Sequence, residues 1–284
     1  MVSGQWSVVN GLALVIVFAS NIYAQHIAFL TPEKSVQSEI VREKIETSLV
    51  NKFKVLDDSL AETVFKTSKF ENPFNLSTID AQNFGNAVGC DFFVILKAEN
   101  LRRMALAKGN YYESYIAVYL VSTRTGRLIF WTLKSFEAES FADADKKLFD
   151  STENLANELS AKIATFYQSE INEPPTLQLE ELPAENSPEA KNFRSPLPFK
   201  RLRPVYTSLA NLYSIAATVD ALVDLDENGK ILRVEISRWA GYELDESVIK
   251  TIREMQWRPA MRDGKTLPIR VLLRYNFKKL TDNK

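Results

Sequence analysis

Between residues 26 and 169 the apolar positions change period repeatedly, and each change predicts an element. "HIAFL" is a short apolar run followed by Val36, Ile40, Val41, Ile45 and Leu49 at helical spacing, so a strand leading into an amphipathic helix is expected. "KVLD" predicts a second short strand, and "DSLAETVFKTS" a second helix with Asp58 and Ser59 as candidate caps. "IDAQNFGNAVGC" predicts a helix feeding "DFFVILKA", whose unbroken apolar run fits a strand covered on both faces. Two long strands joined at Arg124–Arg127 follow, and Leu148, Leu155, Leu159, Ile163 and Phe166 predict one closing helix. The strands carry Tyr111, Tyr112, Tyr115, Tyr119, Phe130, Trp131 and Phe136, as cross-strand packing or as a binding face.

Periodicity disappears between 170 and 204. Seven of the eleven prolines fall there, among Glu, Asn and Ser, with acidic residues first and Arg194, Lys200, Arg201 and Arg203 last. Proline fixes φ and removes a donor, so an extended, solvated tether reaching on the order of 100 Å is expected. Alternation resumes at Val219, Ala221, Val223 and Leu225, turns at "DENG" where Asn228 and Gly229 tolerate positive φ, and returns through Ile231, Val234 and Ile236. A helix capped by Asp245 shows the stripe Leu244, Val248, Ile252, Met255. Pro259 is expected to stop that helix, with Trp257 plugging the gap between its end and the sheet, and Asp263–Gly264 to turn the chain into the last strand, Ile269 to Phe277.

The expected fold class is therefore α+β / α/β: a mixed α/β sandwich-type domain (26–169), a Pro-rich linker (170–204), a small ββαβ domain (205–278) and a tail (279–284). Residues 1–25 carry no charged side chain and end in "IYAQ"; a signal peptide cleaved after Ala24 is expected, with an uncleaved anchor as the alternative.

Composition narrows the chemistry. The chain is 284 residues long, 45% hydrophobic and 25% charged, with a formal net charge of −1. Nucleic-acid binding lacks the basic face it requires. Cys90 and His26 stand alone in type, so no disulfide, cysteine-based metal site or multi-histidine site is expected. No phosphate-cradling glycine loop, G-x-S-x-G or H-E-x-x-H occurs, so neither an enzyme nor a cofactor is expected.

Two resemblances add to this reading. The element order of 26–169, with "NAVGCDFFVILKAE" and "YLVSTRTGRLIF", resembles CsgG-like and TolB N-terminal envelope domains, which implies an assembly or interaction module. "PVY" at 204–206, "ATVDALVDLDENGKILRVEIS", "GYELDESVIKTIREMQWRPA" and "DGKTLPIRVLLRYNF" resemble the TonB C-terminal domain family, with Gly229, Leu244, Asp245, Trp257, Pro259, Gly264 and Phe277 at its structural positions. Thr207 replaces the proline of that pattern and Ala217 its glycine. The resemblance implies a module that adds the TonB box of an outer-membrane transporter, or a segment of another envelope protein, to its sheet edge.

Carried over, that edge comprises Ile269, Arg270, Val271, Leu272, Leu273, Arg274 and Tyr275, helped by Arg203, Pro204 and Val205. Arg270 and Arg274 would be exposed selectors, or would only keep the edge soluble. In TonB an uncleaved N-terminal helix bearing a histidine couples to the ExbB and ExbD motor; here His26 lies beyond the apolar segment. Two roles stay open, a transport-linked transducer in the inner membrane and a secreted periplasmic adaptor.

Overall fold

A computed structural model of the protein describes residues 25–106, 109–171, 179–184 and 186–279. The expected leader, 1–24, lies outside them. The first sheet is built from β1 (His26–Leu30), β2 (Lys54–Val55), β3 (Phe92–Ala105), β4 (Gly109–Ser122) and β5 (Leu128–Ala138) in the order β2-β1-β3-β4-β5. The first three are parallel and the last three antiparallel. The helices are α1 (Val36–Leu49), α2 (Asp58–Ser68), α3 (Thr78–Val88), α4 (Phe141–Asp150) and α5 (Thr152–Ile171).

Strand geometry sends successive side chains to opposite faces, so β3 and β4 build two cores at once. Phe92, Val94, Leu96, Ile116, Val118 and Leu120 meet α1 and α5 through Val41, Ile45, Leu155 and Leu159. Phe93, Ile95, Ala117, Tyr119 and Val121 face α2, α3 and the C-terminal half of the chain.

Three expectations need correction here. Val36 is exposed rather than part of the α1 stripe. Asp57, not Asp58 or Ser59, caps α2, because its extended backbone lets its carboxylate accept from Ser59 N–H. The closing helix is two helices, parted at Ser151, whose hydroxyl donates to Leu148 O while Thr152 donates to Phe149 O.

The prolines of 179–204 do not leave that stretch free. β6 (Glu180–Glu181), β7 (Phe193–Arg194) and β8 (Leu197–Pro198) each pair with a strand of the C-terminal half. That half continues with α6 (Ser208–Leu212), β9 (Ala217–Leu225), β10 (Ile231–Arg238), α7 (Leu244–Arg253), β11 (Trp257–Arg258), β12 (Ala260–Arg262), β13 (Lys265–Leu267) and β14 (Ile269–Phe277). Its main sheet runs β10-β9-β14-β6.

Pro259 is not what stops α7. The helix ends at Arg253, where Glu254 N–H turns back to Thr251 and Ile252 carbonyls, and the chain then forms β11 against β8. Trp257 is buried at that exit, beneath the β9–β10 turn. Gly229 is required in the turn: its φ is +79°, and a Cβ would collide with the Trp257 carbonyl. Asn228 keeps a negative φ, and its N–H bonds Asp226 Oδ1. Asp263 (φ 49°) and Gly264 (φ 80°) form the two-residue turn of the β12–β13 hairpin, one element earlier than expected.

Candidate binding edge and its surroundings

β14 pairs antiparallel with β9 along its whole length, from Ile269 opposite Leu225 to Phe277 opposite Ala217. On its other side it meets β6 only at Ile269 and Arg270. Among the described residues, Val271 to Phe277 therefore have no strand partner on that side. Ile269, Val271, Tyr275 and Phe277 point into the core, while Arg270, Leu272, Arg274 and Asn276 point outward.

The outward arginines are already engaged. Arg270 donates through Nε and Nη2 to Asp224 at 2.7 and 2.9 Å, and Arg274 does the same to Asp220 at 2.7 and 2.8 Å. The cause is register: Arg270 lies opposite Asp224 and Arg274 opposite Asp220 on neighbouring strands. The Asp224 hydrogen bond raises the Arg270 pKa further, and the Asp220 hydrogen bond does so for Arg274. The Arg270 side chain is 20% exposed and its aspartate 3%; for Arg274 the figures are 58% and 6%. Arg270 is thus tied to its own sheet, and Arg274 is the more open of the two.

Asp220 and Asp224 were not among the predicted site residues. Their signal was present: aspartates four apart on one strand match arginines four apart on its partner.

Val205 O accepts from Ser247 on α7, and Tyr206 stacks on Phe277 with ring centroids 6.4 Å apart, while Arg203 is exposed and Pro204 half-buried. These contacts hold the entry segment at α7 and at the end of β14. Near that same end a polar cleft of about 550 Å³ brings Lys69, Asn72 and Asp80 of the N-terminal half beside Arg238, Arg274 and Asn276.

The two halves are joined beside the edge. Asn75 acts as a clamp: its Nδ2 donates to Thr218 O (2.8 Å) and Trp239 O (2.6 Å), and its Oδ1 accepts from Thr218 N–H (2.9 Å). Trp239, 1% exposed, donates from Nε1 to Gly126 O, and Tyr119 donates to Ala240 O. Tyr115 packs on Tyr213, Tyr119 on Trp239 and Trp131 on Tyr242, with centroids 4.8 to 5.6 Å apart. Tyr115, Tyr119 and Trp131 are thus a binding face, used within the chain, whereas Tyr112 packs on Phe141 of α4. Gly241 (φ +70°) is required there, since a Cβ would lie 2.5 Å from Trp131 Cδ1.

Two buried carboxylates brace this joint. Burial opposes ionisation of Glu113, but hydrogen bonds from Ser135, Tyr213 and Arg103 outweigh it and hold its carboxyl below the usual range. Asp245 does not cap α7 through the helix's own N–H groups, as expected. It accepts instead from Ala240 and Gly241 N–H at 2.8 to 3.2 Å, fixing the loop that meets Trp131. Burial pushes its carboxyl up to about 7 despite those bonds.

With this geometry in view, residues 203–279 match the family model of the Gram-negative bacterial TonB protein C-terminal. This stretch is similar to a TonB C-terminal domain. No curated protein matches the chain. Among solved structures, the Pseudomonas aeruginosa TonB C-terminal domain aligns at 18% identity and a TM-score of 0.28, covering 38% of this chain and 100% of that one. Lipoprotein GNA1162 from Neisseria meningitidis aligns at 13% identity and 0.30, covering 52% and 99%. The hypothetical protein CT253 from Chlamydia trachomatis aligns at 15% and 0.31, covering 49% and 95%. The family match is confined to the TonB domain, and no helix among the described residues is long and apolar enough to cross a membrane.

Proposed function

We propose that this is a non-enzymatic envelope protein whose TonB domain binds an extended segment of a partner by strand addition to β14. The open side of β14 from Val271 to Phe277 carries the reading, because a strand edge offers unpaired N–H and C=O groups as a template for another chain. In this reading Ile269 to Tyr275 supply the edge. Arg274 and the cleft beside it supply selectivity, and Arg270 keeps the strand in register. The partner is an outer-membrane transporter presenting a TonB box, or another envelope protein with an extended segment.

The joint favours the adaptor over the motor-coupled transducer. A transducer needs its terminal domain at the end of a long free tether, whereas here Asn75 and Trp239 fasten the domain to the N-terminal half, and the strands of 179–204 lie against the domain itself. A photo-cross-linker in place of Leu272, on the open side of β14, tests both points in intact cells, with Leu232 on β10, the opposite edge strand of the same sheet, as the comparison. Cross-links from 272 should map to one extended segment of an envelope protein, and their yield should survive dissipation of the proton-motive force. Equal labelling from 232, or none from 272, would remove the docking edge; loss of labelling without proton-motive force would restore coupling to an ExbB/ExbD-type motor.

A further inference from the structure

The one strand on the open side of β14, among the described residues, comes from this chain. β6 runs parallel to β14 with Glu180 beside Ile269 and Glu181 beside Arg270. It is held by little else: Glu180 reaches Arg262 Nη1 on β12 at 2.7 Å, with both side chains partly exposed. Glu181 and Leu182 are exposed. β7 and β8 are fastened differently, through antiparallel pairing with β12 and β11 and bonds between Asn192 and Asp263. The same stretch of chain thus has a firmly attached part and a lightly attached part, and the light part sits where a partner would bind.

We propose that Glu180–Glu181 is a resident occupant of the docking edge, which a partner strand must displace to pair along all of β14. The inference rests on the strand-addition reading and adds to it the direction and chemistry of the ligand. A partner enters parallel to β14, with a carboxylate in the place of Glu180 to meet Arg262 and a second acidic group near Arg270. Because α5 ends at Ile171 and β7 begins at Phe193, β6 is leashed at both ends. A short leash of this kind keeps its effective concentration in the region of ~1 mM, so a weak contact suffices to filter weak partners.

The probe is a fluorescent peptide copying residues 177–184, LQLEELPA, titrated into the full chain by anisotropy. Two variants disable β6 in different ways: Glu181→Pro removes a backbone donor, and Glu180→Arg opposes Arg262. Since the occupant makes a two-residue ladder and one exposed ion pair, the peptide should bind each variant about tenfold more tightly than the unaltered chain. A peptide with both glutamates replaced by lysine should lose that gain. Equal binding to variants and unaltered chain would overturn the resident strand while leaving strand addition intact. Absence of binding to all three would also overturn it, and the Leu272 cross-link then judges the edge itself.

Discussion

The two sheets treat their faces differently. The N-terminal sheet has both faces covered, by α1, α4 and α5 on one side and by α2, α3 and the TonB domain on the other. The TonB sheet covers its inner face with α7 and the joint, and leaves its outer face to a ladder of Asp220, Asp224, Arg238, Arg270 and Arg274. The first sheet is held chiefly by burial on both faces, with polar ties such as Arg103–Glu113–Ser135 across its strands. The second lays paired charges across its surface and, among the described residues, leaves the outer side of β10 and the far side of β14 beyond Arg270 without a strand partner, so its stability depends on pairing and register. Under the proposed function, structural support and partner contact fall to different sheets, and the joint between them fixes how β14 is oriented against the first sheet.

The strongest way to break this arrangement is at the joint. Trp239→Ala removes a fully buried indole from between Tyr119 and the β9–β10 strands and should cost about 3–5 kcal/mol. Chemical denaturation followed by circular dichroism and tryptophan fluorescence should show one transition splitting into two. Coincident curves with an unchanged midpoint would mean that the halves do not support each other.

The charge ladder offers a smaller and graded effect. Arg270→Ala strands Asp224, which is almost fully buried, and should cost about 2–3 kcal/mol. Arg274→Ala should cost less than about 1 kcal/mol, because that side chain is more exposed and Asp220 keeps Arg238 at 3.4 Å. Replacing Asp224 and Arg270 together by leucine should recover most of the larger loss. Equal costs for the two single variants would show that burial does not govern the ladder.

The smallest effect is a pH slope. The carboxyl of Asp245 is raised from 3.8 to about 7 in the folded chain, so folding takes up a proton. That contribution is fully present below the unfolded value and is lost as pH rises through about 7. Glu113 has the opposite sign, losing its contribution only as pH falls through the acidic range, while Glu46, raised by burial, shares the sign of Asp245, so the Asp245→Asn background is what separates Asp245 between pH 5.5 and pH 7.5. Stability should fall across that window in the unaltered chain and fall less in Asp245→Asn, measured as denaturant midpoints. Identical slopes would assign the dependence elsewhere.

Much of the fold was legible because each half announces its burial in its period. "DFFVILKA" reads as a strand covered on both faces and becomes the middle of β3's sheet, while Val219, Ala221, Val223 and Leu225 alternate as a half-covered strand must. The joint was not legible. Tyr115, Tyr119 and Trp131 look the same whether they pack across strands or hold a second domain, and Asn75, whose side chain makes three hydrogen bonds there, lies in a loop with no pattern. The path of 179–204 was misread for a related reason: proline excludes helix but does not prevent a two-residue strand from pairing at its edge. At the candidate edge, β14 is legible from its alternation, whereas the roles of its arginines required the register against β9.

The aromatic joint also sets where the chain can be cut. Excising residues 203–279 would bring Trp239, Tyr242 and Tyr213 out of contact with Trp131, Tyr119 and Tyr115 and into water, as an exposed aromatic patch. Such a fragment would self-associate through a surface that the whole protein never shows, and ligands selected against it would report on a scar rather than on a site.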